Sequence, residues 1–167
     1  MRIIGIDPGY DRLGIAIVDK ISGEKEKLIH SECFLTDSKQ EIYTRLLNIG
    51  LRVREIIEKY QPQALAIETL FIIKNQKTAM RVSEARGIIS YEALLAQIPV
   101  YEYTPLQIKM AITGDGRSDK TSIIKMLPLL IKIDSGQRRD KIIDDEYDAI
   151  ATALTHFAYS HRSFPQK

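Results

Sequence analysis

Arg2-Ile3-Ile4-Gly5-Ile6-Asp7-Pro8-Gly9 decides the fold of this chain. A short apolar run rich in β-branched residues, closed by a Pro-Gly turn signal, reads as a buried β-strand. Its last residue, Asp7, is an acid at the end of that strand. A carboxylate is costly there unless it is paired, hydrogen-bonded or bound to a metal.

Working outward, strands are predicted over 3–7, 14–19 and 27–35, with Pro8-Gly9 and Ser22-Gly23-Glu24 turning between them as an antiparallel meander. Ile42, Leu46, Ile49, Val53, Ile56 and Tyr60 then recur at steps of four and three, which predicts an amphipathic helix over 42–60, stopped by Pro62. Ala64-Leu65-Ala66-Ile67-Glu68 is a second acid-ended strand, apolar on both faces and therefore expected to be central. A helix over 75–97 follows, with an apolar surface wider than one stripe, so it needs two surfaces to pack against. The remaining expectations are a strand over 99–103, helices over 105–113 and 118–131, and a final helix over 144–159. Strands that first run in series and then alternate with helices describe an α/β domain, a five-stranded mixed sheet flanked by helices on both faces. It is expected to span residues 1–160, with 161–167 as a polar tail. In such a sheet the ends of strands 3–7 and 64–68 lie side by side, and Asp7 meets Glu68.

Composition narrows the function classes. The 167 residues suffice for one core without disulfides, and Cys33, the single cysteine, excludes both an internal disulfide and a cysteine-ligated zinc cluster. Cys33 reads as a small buried apolar residue rather than a catalytic thiol. No apolar run approaches the roughly 18 residues of a membrane span, and residues 1–7 do not resemble an export signal, so a cytoplasmic protein with no membrane partner is expected. The net charge of +2 names no partner, but residues 104–141 carry eight basic residues against four acids. Such a flank suits phosphate contacts or, equally, solvated helix faces.

The final predicted helix begins Asp144-Asp145-Glu146-Tyr147-Asp148-Ala149. Residues three apart share a helix face, so Asp145 and Asp148 can address one ion or one apiece, and acids are favoured at a helix N-terminus. Capping explains such acids equally well; Asp144 with Asp148, four apart, is the rival register. Capping cannot explain Asp7 and Glu68, which end strands. Convergent carboxylates make a site for hard divalent cations such as Mg²⁺ or Mn²⁺.

In this order, Gly5-Ile6-Asp7-Pro8-Gly9, Ala66-Ile67-Glu68 with Phe71 and Lys74-Asn75 behind it, Glu84-Ala85-Arg86-Gly87 and Asp145-x-x-Asp148-Ala149 resemble the RuvC family of bacterial Holliday junction resolvases from residue 3 to about 156. The resemblance implies a ribonuclease H-like fold and a homodimer. It further implies a structure-specific endonuclease that nicks opposed strands of a four-way DNA junction in recombination and repair, leaving a 5′ phosphate and a 3′ hydroxyl. Two Mg²⁺ ions per site, with Mn²⁺ as substitute, would be held by Asp7, Glu68, Asp145 and Asp148. By the same resemblance Phe71 and Lys74 engage DNA near the junction, Lys109 and Lys120 assist DNA binding and cleavage, and a branch-migration complex of the RuvA and RuvB type is a partner. Asp115 and Asp119 in the Gly114-to-Lys120 loop depart from the family pattern. Two other readings remain: a ribonuclease H-like RNA nuclease of the YqgF group, whose strand also ends in Asp, and a junction-binding protein without catalysis, which would lack one of the carboxylates.

Overall fold

The computed structural model describes residues 1–70, 76–133 and 142–160. Strands β1 (Arg2–Asp7), β2 (Arg12–Asp19) and β3 (Glu26–Leu35) form the antiparallel meander, followed by α1 (Ile42–Tyr60), β4 (Ala64–Glu68), α2 (Gln76–Leu95) and β5 (Val100–Tyr103). Helices α3 (Pro105–Thr113) and α4 (Lys120–Leu130), a two-residue strand β6 (Ile131–Lys132) and α5 (Asp144–Ser160) complete the order. The sheet runs β5-β4-β1-β2-β3-β6, with β4 in the interior as expected, and β1 lies parallel to β4 and β4 to β5.

The sheet has six strands where five were expected. The predicted helix over 118–131 gives up its last residue: α4 ends at Leu130, two residues past Pro128, and Ile131–Lys132 pairs in parallel with Glu26–Lys27 at the β3 edge. Proline cannot supply the amide a continuing helix needs, and two residues are too short to announce a strand by alternation.

Helices cover both faces. Because side chains alternate across a strand, Ile4, Ile6, Leu13, Ile15, Ile17, Leu65 and Ile67 all point to α1 and α2. Ile3, Ala16, Val18, Ala64 and Ala66 point to the α5 side, where Ala149, Ile150, Ala153, Leu154 and Phe157 meet them. Gly5 and Gly14 belong to that second face. A Cβ on Gly5 would collide with the Ala149 carbonyl oxygen, and one on Gly14 would collide with that of Asp145. The two glycines let the α5 backbone lie directly on β1 and β2.

Candidate active site

The α5 approach assembles the site. Asp7 and Glu68 end neighbouring parallel strands, one residue beyond the paired Ile6 and Ile67, and both share the parity of Gly5 and Ala66, which face α5. On Gly14 a Cβ would stand 3.1 Å from the Asp7 Cβ, so the start of α5 and the end of β1 are held within one side chain of each other. Asp7, Glu68, Asp145 and Asp148 are thereby brought together from three elements.

The two rival acids of α5 are placed differently. Asp145 is 20% exposed, pairs with Arg12 from the start of β2, and is among the charges acting on Asp7; Asp144 is 68% exposed and stands 3.6 Å from Lys120. Lys120 Nζ donates to Asp148 at 2.8 Å. The lysine expected to face DNA therefore also lies inside the carboxylate cluster. Asp119, which departs from the family pattern, caps α4 by accepting the Ser122 amide at 2.8 Å, which holds its carboxyl below the usual range and sets Lys120 at the first turn. Asp115 accepts the Arg117 amide at 2.9 Å and shapes the preceding turn.

Charge balance is the chief electrostatic fact of the site. Burial, reinforced by the Asp148, Glu68 and Asp145 carboxylates, pushes Asp7 up to about 7. Burial and the Asp148 carboxylate raise Glu68 against the opposing charges of Arg86, Lys120 and Lys109, and burial also raises Asp148 despite its Lys120 partner. Like charges this close disfavour joint ionisation unless a cation joins them.

A cleft of about 250 Å³ opens beside the cluster, lined by Glu68, Pro105, Ile108, Lys109, Lys120, Ile123 and Asp148. The α3 end of that cleft is fixed by a capping box: the Gln107 amide donates to Thr104 Oγ1 at 3.2 Å, and the Thr104 amide donates to Gln107 Oε1 at 2.8 Å, with Pro105 in the first turn. Lys109 enters the cleft one turn further on. Phe71 and Lys74 lie outside the described residues.

Two positioning groups escaped the sequence reading. Arg45 of α1, buried, pairs with Asp11 and donates to the Tyr10 carbonyl at 3.2 Å and to Thr36 Oγ1 at 2.9 Å, clamping the loop that follows Asp7. Arg12 holds Asp145 across 133 residues of sequence. The available signal was parity, since Arg12 shares the strand face of Gly14, but nothing local told which acid lay opposite.

Among the described residues no three His, Cys, Asp or Glu side chains are gathered tightly enough to hold one ion as they stand. Arg12 and Lys120 occupy the α5 pair in this arrangement. The donor set nevertheless fits a hard divalent cation: it is all oxygen, and its negative charge adds to burial in raising Asp7. Arg12 and Lys120 are both about half exposed, so neither is locked against the acids by packing.

Residues 3–156 match the family model "Crossover junction endodeoxyribonuclease RuvC". The chain is 43% identical over 164 residues to the RuvC of Petrotoga mobilis, covering 98% of this chain and 97% of that one. It is 44% identical over 153 residues to the RuvC of Thermosipho melanesiensis, covering 92% and 94%. The structure of T. thermophilus RuvC in complex with a Holliday junction substrate superposes with a TM-score of 0.86 at 32% identity, covering 96% of this chain and 94% of that one. With the sheet order, the acid-ended strands and the α5 crossing already in place, the chain belongs to the RuvC family of crossover junction endodeoxyribonucleases, metal-dependent nucleases that resolve Holliday junctions.

Proposed function

We propose that Asp7, Glu68, Asp145 and Asp148 hold two Mg²⁺ ions, for which Mn²⁺ substitutes, and that these four residues carry the hydrolysis of junction phosphodiesters. The observation that supports this most directly is the convergence of three further carboxylates on the strand-ending Asp7, their charge adding to burial in raising it to about 7. When bound, two such ions would supply Lewis acidity to a scissile phosphate. Asp7 and Glu68 sit on rigid strand ends and fix one side of the site. Asp145 and Asp148 close it from α5. Lys120, already within 2.8 Å of Asp148, is suited to contact a phosphate once its acid is otherwise neutralised, and Lys109 lines the same cleft. Phe71 and Lys74 are assigned to the DNA near the junction by family resemblance. Residues 1–160 act as one nuclease domain in this reading.

A homodimer is part of the proposal. Along the outer side of α2, Met80, Gly87, Tyr91 and Leu94 follow one another at helical spacing and are exposed, beside Tyr43, Leu47 and Leu51 of α1. Gly87 would meet nothing within 4 Å if it carried a Cβ, so the roughly 1 kcal/mol that glycine costs inside a helix has no return within the chain. A second copy packed there gives it one, and two-fold symmetry suits two opposed cuts. The branch-migration complex of the RuvA and RuvB type is retained as a partner by family resemblance. No described helix is long and apolar enough to cross a membrane, which accords with a cytoplasmic site of action on DNA.

The test is cleavage of a synthetic four-way junction with Mg²⁺. Paired symmetric nicks with ligatable ends are expected, abolished by Asp7→Asn without loss of junction binding. Binding without cutting across varied core sequences, or a cleaving Asp7→Asn variant, would overturn the assignment. Sedimentation at micromolar concentration should give a dimer, and a monomer alone would refute that part.

A further inference from the structure

The Glu84-Ala85-Arg86-Gly87 motif has no catalytic part above, yet Arg86 reaches the site from the opposite face of the sheet. From α2, Nη1 donates to the main-chain carbonyl of Glu68 at 2.6 Å, and Nη2 pairs with Glu102 of β5 at 2.9 Å. The Arg86 side chain is 13% exposed and that of Glu102 57%. An ion pair with so open an acid is a weak reason to bury a guanidinium. The carbonyl is the stronger one.

Its need follows from the strand register. The amides of Leu65 and Thr69 donate toward β5, to Pro99 O at 2.9 Å and Tyr103 O at 2.8 Å. Backbone groups alternate along a strand, so the amides and carbonyls of Ala64, Ala66 and Glu68 turn toward β1. With Gly5 paired to Ala66, the parallel ladder gives the carbonyls of 64 and 66 to the amides of 4 and 6, and the carbonyl of Glu68 to the amide of residue 8. That residue is Pro8, which has no N–H. The ladder thus loses its donor at the very residue whose side chain enters the site.

We propose that Arg86 is a positioning residue for Glu68, replacing the amide that Pro8 lacks and so fixing the Glu68 main chain, and with it the carboxylate, relative to Asp7. The inference rests on the reading of Glu68 as a metal ligand. Arg86 acts from outside the ligand set, and its charge also opposes the burial that raises Glu68.

The test is a double-mutant cycle with Mn²⁺ affinity of the DNA-free protein as the primary readout, and kcat, KM and junction binding in Ca²⁺ beside it. Arg86→Gln is expected to weaken Mn²⁺ binding and lower kcat by ~10–100-fold, as removal of an outer-shell partner does, with KM and junction binding little changed. Pro8→Ala returns an N–H to residue 8, so the same Arg86→Gln step made in the Pro8→Ala background should cost much less. Arg86→Gln with unchanged Mn²⁺ affinity and kcat overturns the proposal, and so does an equal loss in both backgrounds. Should Arg86→Gln fail to fold, Arg86→Met, which keeps the apolar stem and has no donor, takes its place in the cycle under the same two criteria. Glu68→Gln separates the premises. If it loses Mn²⁺ binding while Arg86→Gln does not, the positioning inference alone falls; if it binds and cuts like the parent, the reading of Glu68 falls and the inference with it.

Discussion

The two faces of the sheet are made of different residues for different ends. Toward α1 and α2 the strands present Ile and Leu, fully buried, and the helices stand off on large side chains. Toward α5 the same strands present Gly5, Gly14, Ala16, Ala64 and Ala66, and the helix answers with Ala149, Ala151 and Ala153. Large residues bury more apolar area, at about 25 cal/mol per Å², so the first face supplies more of the stability. Small residues bury less but bring backbones together. An aspartate is short, and only where α5 touches β1 and β2 can its acids share a site with acids at strand ends. One face is built for cohesion and the other for proximity.

Gly14→Ala should break this division most severely. The added methyl meets the Asp145 backbone rather than a flexible side chain, so α5 must move. A displacement near 1 Å costs about 10²-fold in rate, while overpacking costs about 1–3 kcal/mol of stability. Junction cleavage by protein shown folded by circular dichroism is the measurement; cleavage at the parental rate would show that close approach does not set the site. Ile15→Ala, one residue along the same strand but on the other face, should do the reverse. It should lower unfolding free energy by about 2–5 kcal/mol in urea and leave kcat of the folded enzyme at 25 °C nearly unchanged. Equal kcat losses in the two variants would erase the distinction.

Most of the fold was legible because its signals are local. Ala64–Glu68 and Pro105–Thr113 fall where they were expected, and acid-ended strands 3–7 and 64–68 do lie side by side. The carboxylate cluster was legible because Asp and Glu have no cheap reason to end buried strands. What could not be read is what stands across from what. Parity puts Arg12 on the α5 face, but only the packed helix selects Asp145 as its partner. The placing of Asp145 nearer the strands than Asp144 likewise turns on a helix rotation of one residue, set by Gly14 and Gly5 on strands far away in sequence. β6, two residues long, carries no periodicity at all.

The two faces also treat buried acids oppositely, and pH exposes this. Asp7 moves from 3.8 to about 7 on folding. Between those values the folded protein keeps a proton that the unfolded chain has lost, so this group lowers stability as pH rises through the window. In chelator, urea midpoints of the parent should therefore fall with rising pH between about 4 and 7 relative to Asp7→Asn. Mn²⁺ should reverse the trend, because binding requires the deprotonated acid. Parallel pH curves for the two proteins in chelator would show that the cluster does not carry the strain of like charge.

Glu32 is the counterpart on the α1 side and should give the smallest effect. Burial alone would raise it, but the nearby His30 ring, 3.6 Å away, and the Arg52 guanidinium prevail and hold it at about 2, against 4.5 unperturbed; Arg52 donates Nε and Nη2 to its two oxygens at 2.7 and 2.6 Å. Here the unfolded chain takes up the proton first. Glu32 therefore adds stability above pH 4.5, and that contribution is lost as pH falls through about 2. Partial exposure of both partners keeps it modest. Glu32→Gln should flatten acid unfolding between those limits while leaving junction cleavage at neutral pH untouched. A cleavage defect would mean that the α1 face reaches the site after all. An unchanged acid limb would mean that the pair is held by neighbouring packing rather than holding it, and that the cohesive face owes its stability to Ile and Leu alone.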